Sequence, residues 1–301
     1  RWTPQVLETI RRSRVESTFQ VAFAIRESET PPRVFLSASG TGRYAAGGGV
    51  LDEAAPAGRG FLSSVAAAWE REALRAASER TRVLIARIPT VLDRDAGFLA
   101  RMAPWWRRGL DPAPWTASDA VPWVHHADLL RMLDLGLEKE TLSGPVNFTA
   151  PTATNAAEIR DALRAVLGRR PVPIPRRILR AIAGCVIDEL GGSREVRPAK
   201  LHAIGFTWSV ESIGRAIALE LGHGEVPSAG ADPTPVSPPK PVSPSKPVEP
   251  PKPVAAVTPV SPPKPVMRPK PVEVPKPAAP VAPVSPPTPV MPPTPVDPPK
   301  P

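Results

Sequence analysis

Proline is distributed unevenly along this 301-residue chain, and that unevenness limits what can fold. Of 45 prolines, 29 lie in residues 231–301 and 16 in the first 230. Each proline fixes φ and removes a backbone donor, so so dense a run propagates neither a helix nor a sheet ladder. The same 71 residues contain no Gly, Leu, Ile, Phe, Trp, Tyr, His or Cys. With almost nothing to bury, they cannot offset the entropy of ordering. Residues 226–301 are therefore expected to form a disordered, Pro/Lys/Val-rich tail, a solvated spacer leaning to polyproline II. All seven Trp, all seven Phe and the single Tyr fall in the first 230 residues. That leaves about 225 residues of globular material, enough for one sizeable domain or two small ones.

The net charge of +9 divides into +4 for the tail (8 Lys and Arg against 4 acids) and +5 for the body (30 against 25). The body's arginines are scattered among acids, which does not indicate a nucleic-acid surface. One Cys excludes an internal disulfide framework and any multi-cysteine zinc site. Cys185, in an apolar run, is expected to be a small buried hydrophobe. No 18-residue apolar stretch is present, so no membrane span is expected, and a cytoplasmic protein is. The start, Arg1-Trp2-Thr3-Pro4, has neither an initiator Met nor an apolar signal region, and is expected to be the start of a fragment.

The spacing of apolar residues predicts a helix over 5–26 with Pro4 in its first turn. Val34-Phe35-Leu36 predicts a short buried strand running into the small-residue turn Ser37–Gly42. A second helix follows from Phe61 to about Ser78, then a buried strand from Arg82 to Ile88. Apolar strands alternating with helices are the rhythm of a parallel α/β sheet. Residues 104–123, with four Pro and four Trp, are expected to be irregular. Beyond them the pattern gives a strand at Trp123-Val124-His125 and a helix over Ala127–Leu137 with Asp128 at its start. A short strand follows at Val146-Asn147-Phe148, then a helix from Asn155 to Leu167 with a capping-box pattern to Glu158. An extended Pro171–Pro175 connector, one helix from Arg176 to the Leu190 region and a last helix from Val210 to Leu221 complete the body.

Gly40-Thr41-Gly42-Arg43-Tyr44-Ala45 fits G-x-G-x-x-G/A directly after a strand. A dinucleotide fingerprint also needs a helix to begin there and an acid about twenty residues on. Here Gly47-Gly48-Gly49 replaces the helix, and Asp52 and Glu53 come too early, so no cofactor fingerprint is expected. His125-His126-x-Asp128 suggests a metal, but adjacent residues of a strand point to opposite faces. A polar-contact role is expected instead, with no metal. Trp105, Trp106, Trp115 and Trp123 read as core or as a pocket wall. No nucleophile elbow or P-loop is present.

A resemblance rests on the order Arg1-Trp2-Thr3, Ser13-Arg14-Val15-x-x-Thr18, Leu36-Ser37-Ala38-Ser39-x-x-Gly42-x-Tyr44 and Phe61-Leu62 leading into Trp69-Glu70. It continues through Arg87 with Val91-Leu92, Gly97-x-Leu99-x-x-Met102, Trp123-Val124-His125-x-x-Asp128-Leu129 and Gly144-Pro145-x-Asn147-x-Thr149-Ala150-Pro151. It ends at Pro198-x-Lys200-Leu201 and Gly205-Phe206. Over about residues 1–222 the chain resembles the atypical epimerase family of the extended short-chain dehydrogenase/reductase superfamily, with its C-terminal domain of unknown function.

That resemblance implies an α/β fold, an incomplete Rossmann-type parallel sheet lacking roughly its N-terminal third, with a smaller α+β C-terminal domain. Residues 1–95 would be the C-terminal half of the dinucleotide domain and 96–225 the substrate-type domain. NAD(P) is implied for the full-length family, and none is expected to be bound by this chain. Ser39 matches the superfamily's catalytic serine and Tyr44 a loop tyrosine facing the pocket; Trp123 and His125 fall on the substrate side. The Tyr-x-x-x-Lys pair, whose Lys lowers the Tyr pKa, is absent from Phe61–Ala66, as it usually is in the family. The family's glycine-rich substrate loop is replaced by Asp111–Asp119, whose Pro and Trp cannot follow such a path. The expected substrate is a small molecule or a sugar nucleotide. The alternative is a non-catalytic scaffold whose proline arm docks a polyproline-recognising protein.

Overall fold

Four consecutive apolar residues, Val83 to Ala86, can all be buried in one strand only if both faces of its sheet are covered. The computed structural model, which describes residues 2–47 and 49–222, shows that arrangement. The expected proline arm, residues 226–301, lies outside the described residues.

Helix α1 (Pro4–Glu27) is capped by the Thr3 hydroxyl and leads to strand β1 (Val34–Gly40). Helix α2 (Phe61–Leu74) and strand β2 (Arg82–Ile88) follow, then β3 (Thr90–Leu92) and α3 (Gly97–Arg107). Next come β4 (Trp123–His125), α4 (His126–Glu138) and β5 (Gly144–Asn147). The remaining helices are α5 (Ala156–Leu167), α6 (Arg176–Ala183), α7 (Val186–Leu190), α8 (Ala199–Ala203) and α9 (Ile213–Leu221).

Strands β1, β2 and β5 form a parallel sheet with β2 in the middle. Alternation along β2 divides the core. Val83 and Ile85 pack with Ala22, Ala73 and Ala76 of α1 and the α2 segment, whereas Leu84 and Ala86 pack with Met132, Val146 and Phe148 beside α4. The expected α/β class is therefore met by a Rossmann-like sheet with helices on both faces. Parallel β3 and β4 extend away from this sheet and carry a second core, in which Leu99, Trp106, Trp123, Leu163 and Ile217 come together.

Several expectations are corrected. The strand expected at 34–36 runs on to Gly40, because Ser37, Ala38 and Ser39 pair in register with Ile85, Ala86 and Arg87 of the covered central strand. The region expected to be irregular from 104 contains the end of α3, with Pro104 inside it; burial of Trp106 and Ala103 outweighs the one helical hydrogen bond that proline removes. The helix expected from Arg176 to the Leu190 region is broken at Gly184, whose φ of 77° a helix does not accommodate. Cys185, expected to be buried, is exposed because that break places it between two short helices. The capping box at Asn155 forms as patterned: Glu158 N–H donates to Asn155 Oδ1 at 2.9 Å, and Asn155 N–H donates back to Glu158 Oε2 at 3.3 Å. Asp128, fully buried, takes the backbone N–H of Ser209 and of Val210 at 2.9 Å each and so pins the C-terminal segment to α4, while His125 caps the helix.

Two glycines generate opposite expectations. A Cβ on Gly58 would stand 2.8 Å from the backbone N and Cα of Ala45, where nothing flexible gives way. Gly58→Ala should lose about 1–3 kcal/mol, as overpacking does. Gly214, exposed in the first turn of α9, meets nothing within 4 Å, and Gly214→Ala should be neutral or gain up to about 1 kcal/mol. Urea unfolding of the two variants checks both signs.

Candidate functional site

In open α/β sheets, ligands bind beyond the carboxyl ends of the strands. There, three polar residues stand side by side in register: Ser39 of β1 beside Arg87 of β2, and Arg87 beside Asn147 of β5. Parallel pairing of three apolar strands puts them in one row, since each strand turns polar at the same level.

All three are buried and belong to one network. Arg87 donates from Nε to Glu70 Oε1 and from Nη2 to Glu70 Oε2, both at 2.9 Å, a two-pronged pair that matches guanidinium to carboxylate. Ser39 Oγ donates to Glu70 Oε1 and Arg43 Nε to Oε2, each at 2.7 Å. Arg87 Nη1 donates to the Tyr44 hydroxyl at 2.7 Å and to the Glu53 carbonyl at 3.0 Å. The Tyr44 hydroxyl in turn donates to Asn147 Oδ1 at 2.6 Å, and Asn147 Nδ2 donates to the Arg197 carbonyl at 2.9 Å. Burial would push the Glu70 carboxyl up, but the hydrogen bonds and charge of Arg87, with help from Ser39 and Arg43, hold it below its ordinary value. Burial pushes the Tyr44 phenol up, against the opposing pull of Arg87.

The expected catalytic residues are thus both at the carboxyl end of β1, with their hydroxyls turned onto the Arg87–Glu70 pair. Glu70, Arg87 and Asn147 were not read as site residues from sequence, although each stands in the motifs that carry the resemblance. The signal that marks them is their polarity at the end of apolar strands or on an apolar helix face.

The expected substrate-side residues lie elsewhere. Trp123 sits in the second core, 2% exposed. His125 caps α4, its Nδ1 accepting the Ala127 N–H at 3.3 Å. Burial first, and then neighbouring His126, hold His125 below the ordinary histidine value despite Glu220 and Asp128. The expectation that the two histidines face apart is corrected: His125 ends a strand and His126 begins a helix, and both rings turn to Glu220 of α9, whose Oε1 lies 2.9 Å from His125 Nε2 and 3.3 Å from His126 Nδ1.

The glycine turn after β1 does not form a dinucleotide cradle. Thr41–Arg43 make one 3-10 turn, and the following α-helix, α2, begins only at Phe61. The N-terminus of α2 already holds an anion of the chain itself: Phe61 and Leu62 N–H donate to the Glu189 carboxylate at 2.9 and 3.0 Å. Neither the turn after β1 nor the N-terminus of α2 therefore fits a pyrophosphate group.

Removing one partner of a buried ion pair leaves the other charge uncompensated, at a cost of about 3–5 kcal/mol. Arg87→Ala should lose that much in denaturant unfolding. Because the Glu70 value is depressed on folding, its contribution is full above the ordinary carboxylate pKa of about 4.3 and fades as pH falls below it toward the folded value. In Glu70→Gln that part of the acid sensitivity should disappear. Stability curves that keep the same slope below pH 5 in wild type and variant would contradict it.

No family model matches the sequence. An epimerase family protein of Mycobacterium leprae is 33% identical over 222 residues, which is 72% of this chain and 71% of that one. The chloroplastic SDR39U1 homologue of Arabidopsis thaliana is 30% identical over 221 residues, and there the chain spans only 63% of the relative's length. Human SDR39U1, solved with NADPH, superposes with a TM-score of 0.68 at 29% identity over 72% of this chain and 75% of that one. The chain belongs to this epimerase family, an atypical NAD(P)-dependent branch of the short-chain dehydrogenase/reductase superfamily.

Proposed function

We propose that this chain supplies the substrate side of an NAD(P)-dependent epimerase/dehydratase-type oxidoreductase, and that residues 1–301 alone bind neither NAD nor NADP. The observation that carries the reading is the row Ser39, Arg87 and Asn147 at the carboxyl ends of three parallel strands, where such enzymes keep their polar groups. The human relative solved with NADPH supports the redox class. The filled N-terminus of α2 and the missing glycine cradle support the second half.

In this reading residues 1–95 are the C-terminal half of the dinucleotide domain and 96–225 the substrate-type domain. Ser39 and Tyr44 are its candidate acid-base groups, held in place by Arg87 and Glu70, and Trp123 and His125 belong to the substrate side. A small molecule or a sugar nucleotide is the substrate class. Among the described residues no helix is long and apolar enough to cross a membrane. The reading places the protein in the cytoplasm, whereas the Arabidopsis relative is named as chloroplastic.

Calorimetric titration of residues 1–301 with NAD and NADPH should give no binding in the micromolar range. Joining to this chain the portion of the Mycobacterium leprae relative that it does not cover should create NADPH binding. Micromolar binding by the unfused chain would overturn the second half of the proposal. A folded fusion that binds neither nucleotide would overturn the first.

A further inference from the structure

We propose that His125, His126 and Glu220 form a site for one divalent transition-metal ion, with zinc the best fit to the ligand set. The three donor atoms, His125 Nε2, His126 Nδ1 and Glu220 Oε1, all lie within 4.8 Å of one another. Zinc bonds of about 2.0–2.2 Å to nitrogen and oxygen need donors in tetrahedral directions at roughly 3.3 Å spacing. The two nitrogen-to-oxygen distances here, 2.9 and 3.3 Å, are already near that.

The arrangement is poorly explained without a cation. His125 and Glu220 are 4% and 5% exposed. Both ring nitrogens crowd one carboxylate oxygen, yet neither His125 Nε2 nor His126 Nδ1 makes a hydrogen bond of proper geometry. Buried polar atoms are almost always paired, so two ring nitrogens left unpaired beside one carboxylate oxygen call for a partner. An ion between them would satisfy all three atoms. Its geometry is prepared from behind: Glu220 Oε2 accepts the Arg94 backbone N–H at 2.6 Å, which fixes the carboxylate and leaves Oε1 toward the rings.

The ligand types select among metals. Two imidazoles and one carboxylate suit zinc and its first-row neighbours over magnesium or calcium, which prefer all-oxygen shells. His126, with its side chain 40% exposed, gives the ion a path from solvent and leaves a fourth position for water. Two features oppose binding. The Arg94 guanidinium lies 3.7 Å from Oε2. Ligation through Nε2 also puts the remaining proton of His125 on Nδ1, so the Ala127 N–H must leave it for water; that N–H is in the first helical turn, where solvent can take it up.

The test is equilibrium dialysis of the untagged, chelator-stripped full chain against Zn2+, with the visible spectrum of the Co2+ form as a second readout. One zinc per chain should bind with a dissociation constant in the micromolar range or below, and Co2+ should show the intense visible bands of a four- or five-coordinate site. His126→Ala, at a part-exposed ring whose loss leaves the core intact, should weaken zinc at least tenfold and abolish the Co2+ bands, while circular dichroism stays unchanged. Glu220→Gln should do the same where it folds. Absence of zinc binding to the wild-type chain would overturn the proposal. So would a loss below tenfold in folded His126→Ala, since binding would then lie elsewhere.

Discussion

The buried pair of Arg87 and Glu70 is the constraint around which the carboxyl end of the sheet is arranged. Desolvating both charges is expensive, and their attraction offsets that only if the remaining donors and acceptors are satisfied. Arg87 therefore requires Tyr44 and the Glu53 carbonyl, and Glu70 requires Ser39 and Arg43. Those partners come from β1 and from the segment between β1 and α2. An apolar cluster of the same volume would give comparable stability, but it would not fix the hydroxyls of Ser39 and Tyr44 at one place and one orientation.

The same electrostatics decides what the helix beside the sheet can hold. An α-helix N-terminus offers unpaired N–H groups and a partial positive charge, which in dinucleotide folds face phosphate. Here Glu189 reaches from α7 to the first two N–H groups of α2. Gly60 makes that reach feasible, since a Cβ there would stand 2.9 Å from Glu189 Oε2. A side-chain carboxylate thus occupies the position at which an anionic ligand would compete.

Much of the fold was legible from runs and caps. Val83 to Ala86 announced a strand covered on both faces, and Asn155 with Glu158 announced a helix start; both depend on neighbours within a few residues. Failures came where a local rule met a boundary or a distant partner. The opposite-faces argument for His125 and His126 assumed both belonged to a strand, whereas the strand ends between them. The small residues Ser37 to Gly40 looked like a turn because the register with β2 that makes them a strand is set about fifty positions away. Of the site, the resemblance supplied Ser39 and Tyr44 together with the motif residues Glu70, Arg87 and Asn147. That these five form one network depends on the parallel register. Glu220 had no local signal at all.

The arginine surplus of the body has an internal explanation. Much of its C-terminal part has little regular structure, with paired segments of two residues such as 110–111 with 172–173. Backbone carbonyls outside ladders need donors, and proline-containing segments such as 104–123 supply fewer. Arginine carries five donors on one planar group. Arg82 donates to the carbonyls of Gly136, Leu137 and Leu142, which close the end of α4. Arg194 donates to those of Tyr44, Glu189 and Gly191. Arg160 joins Asp111 to the Trp115 carbonyl, while Asp111 also accepts from the Trp106 ring and the Ala113 N–H. These side chains do for loops what ladders do for strands, so part of the body's arginine complement holds irregular backbone in place.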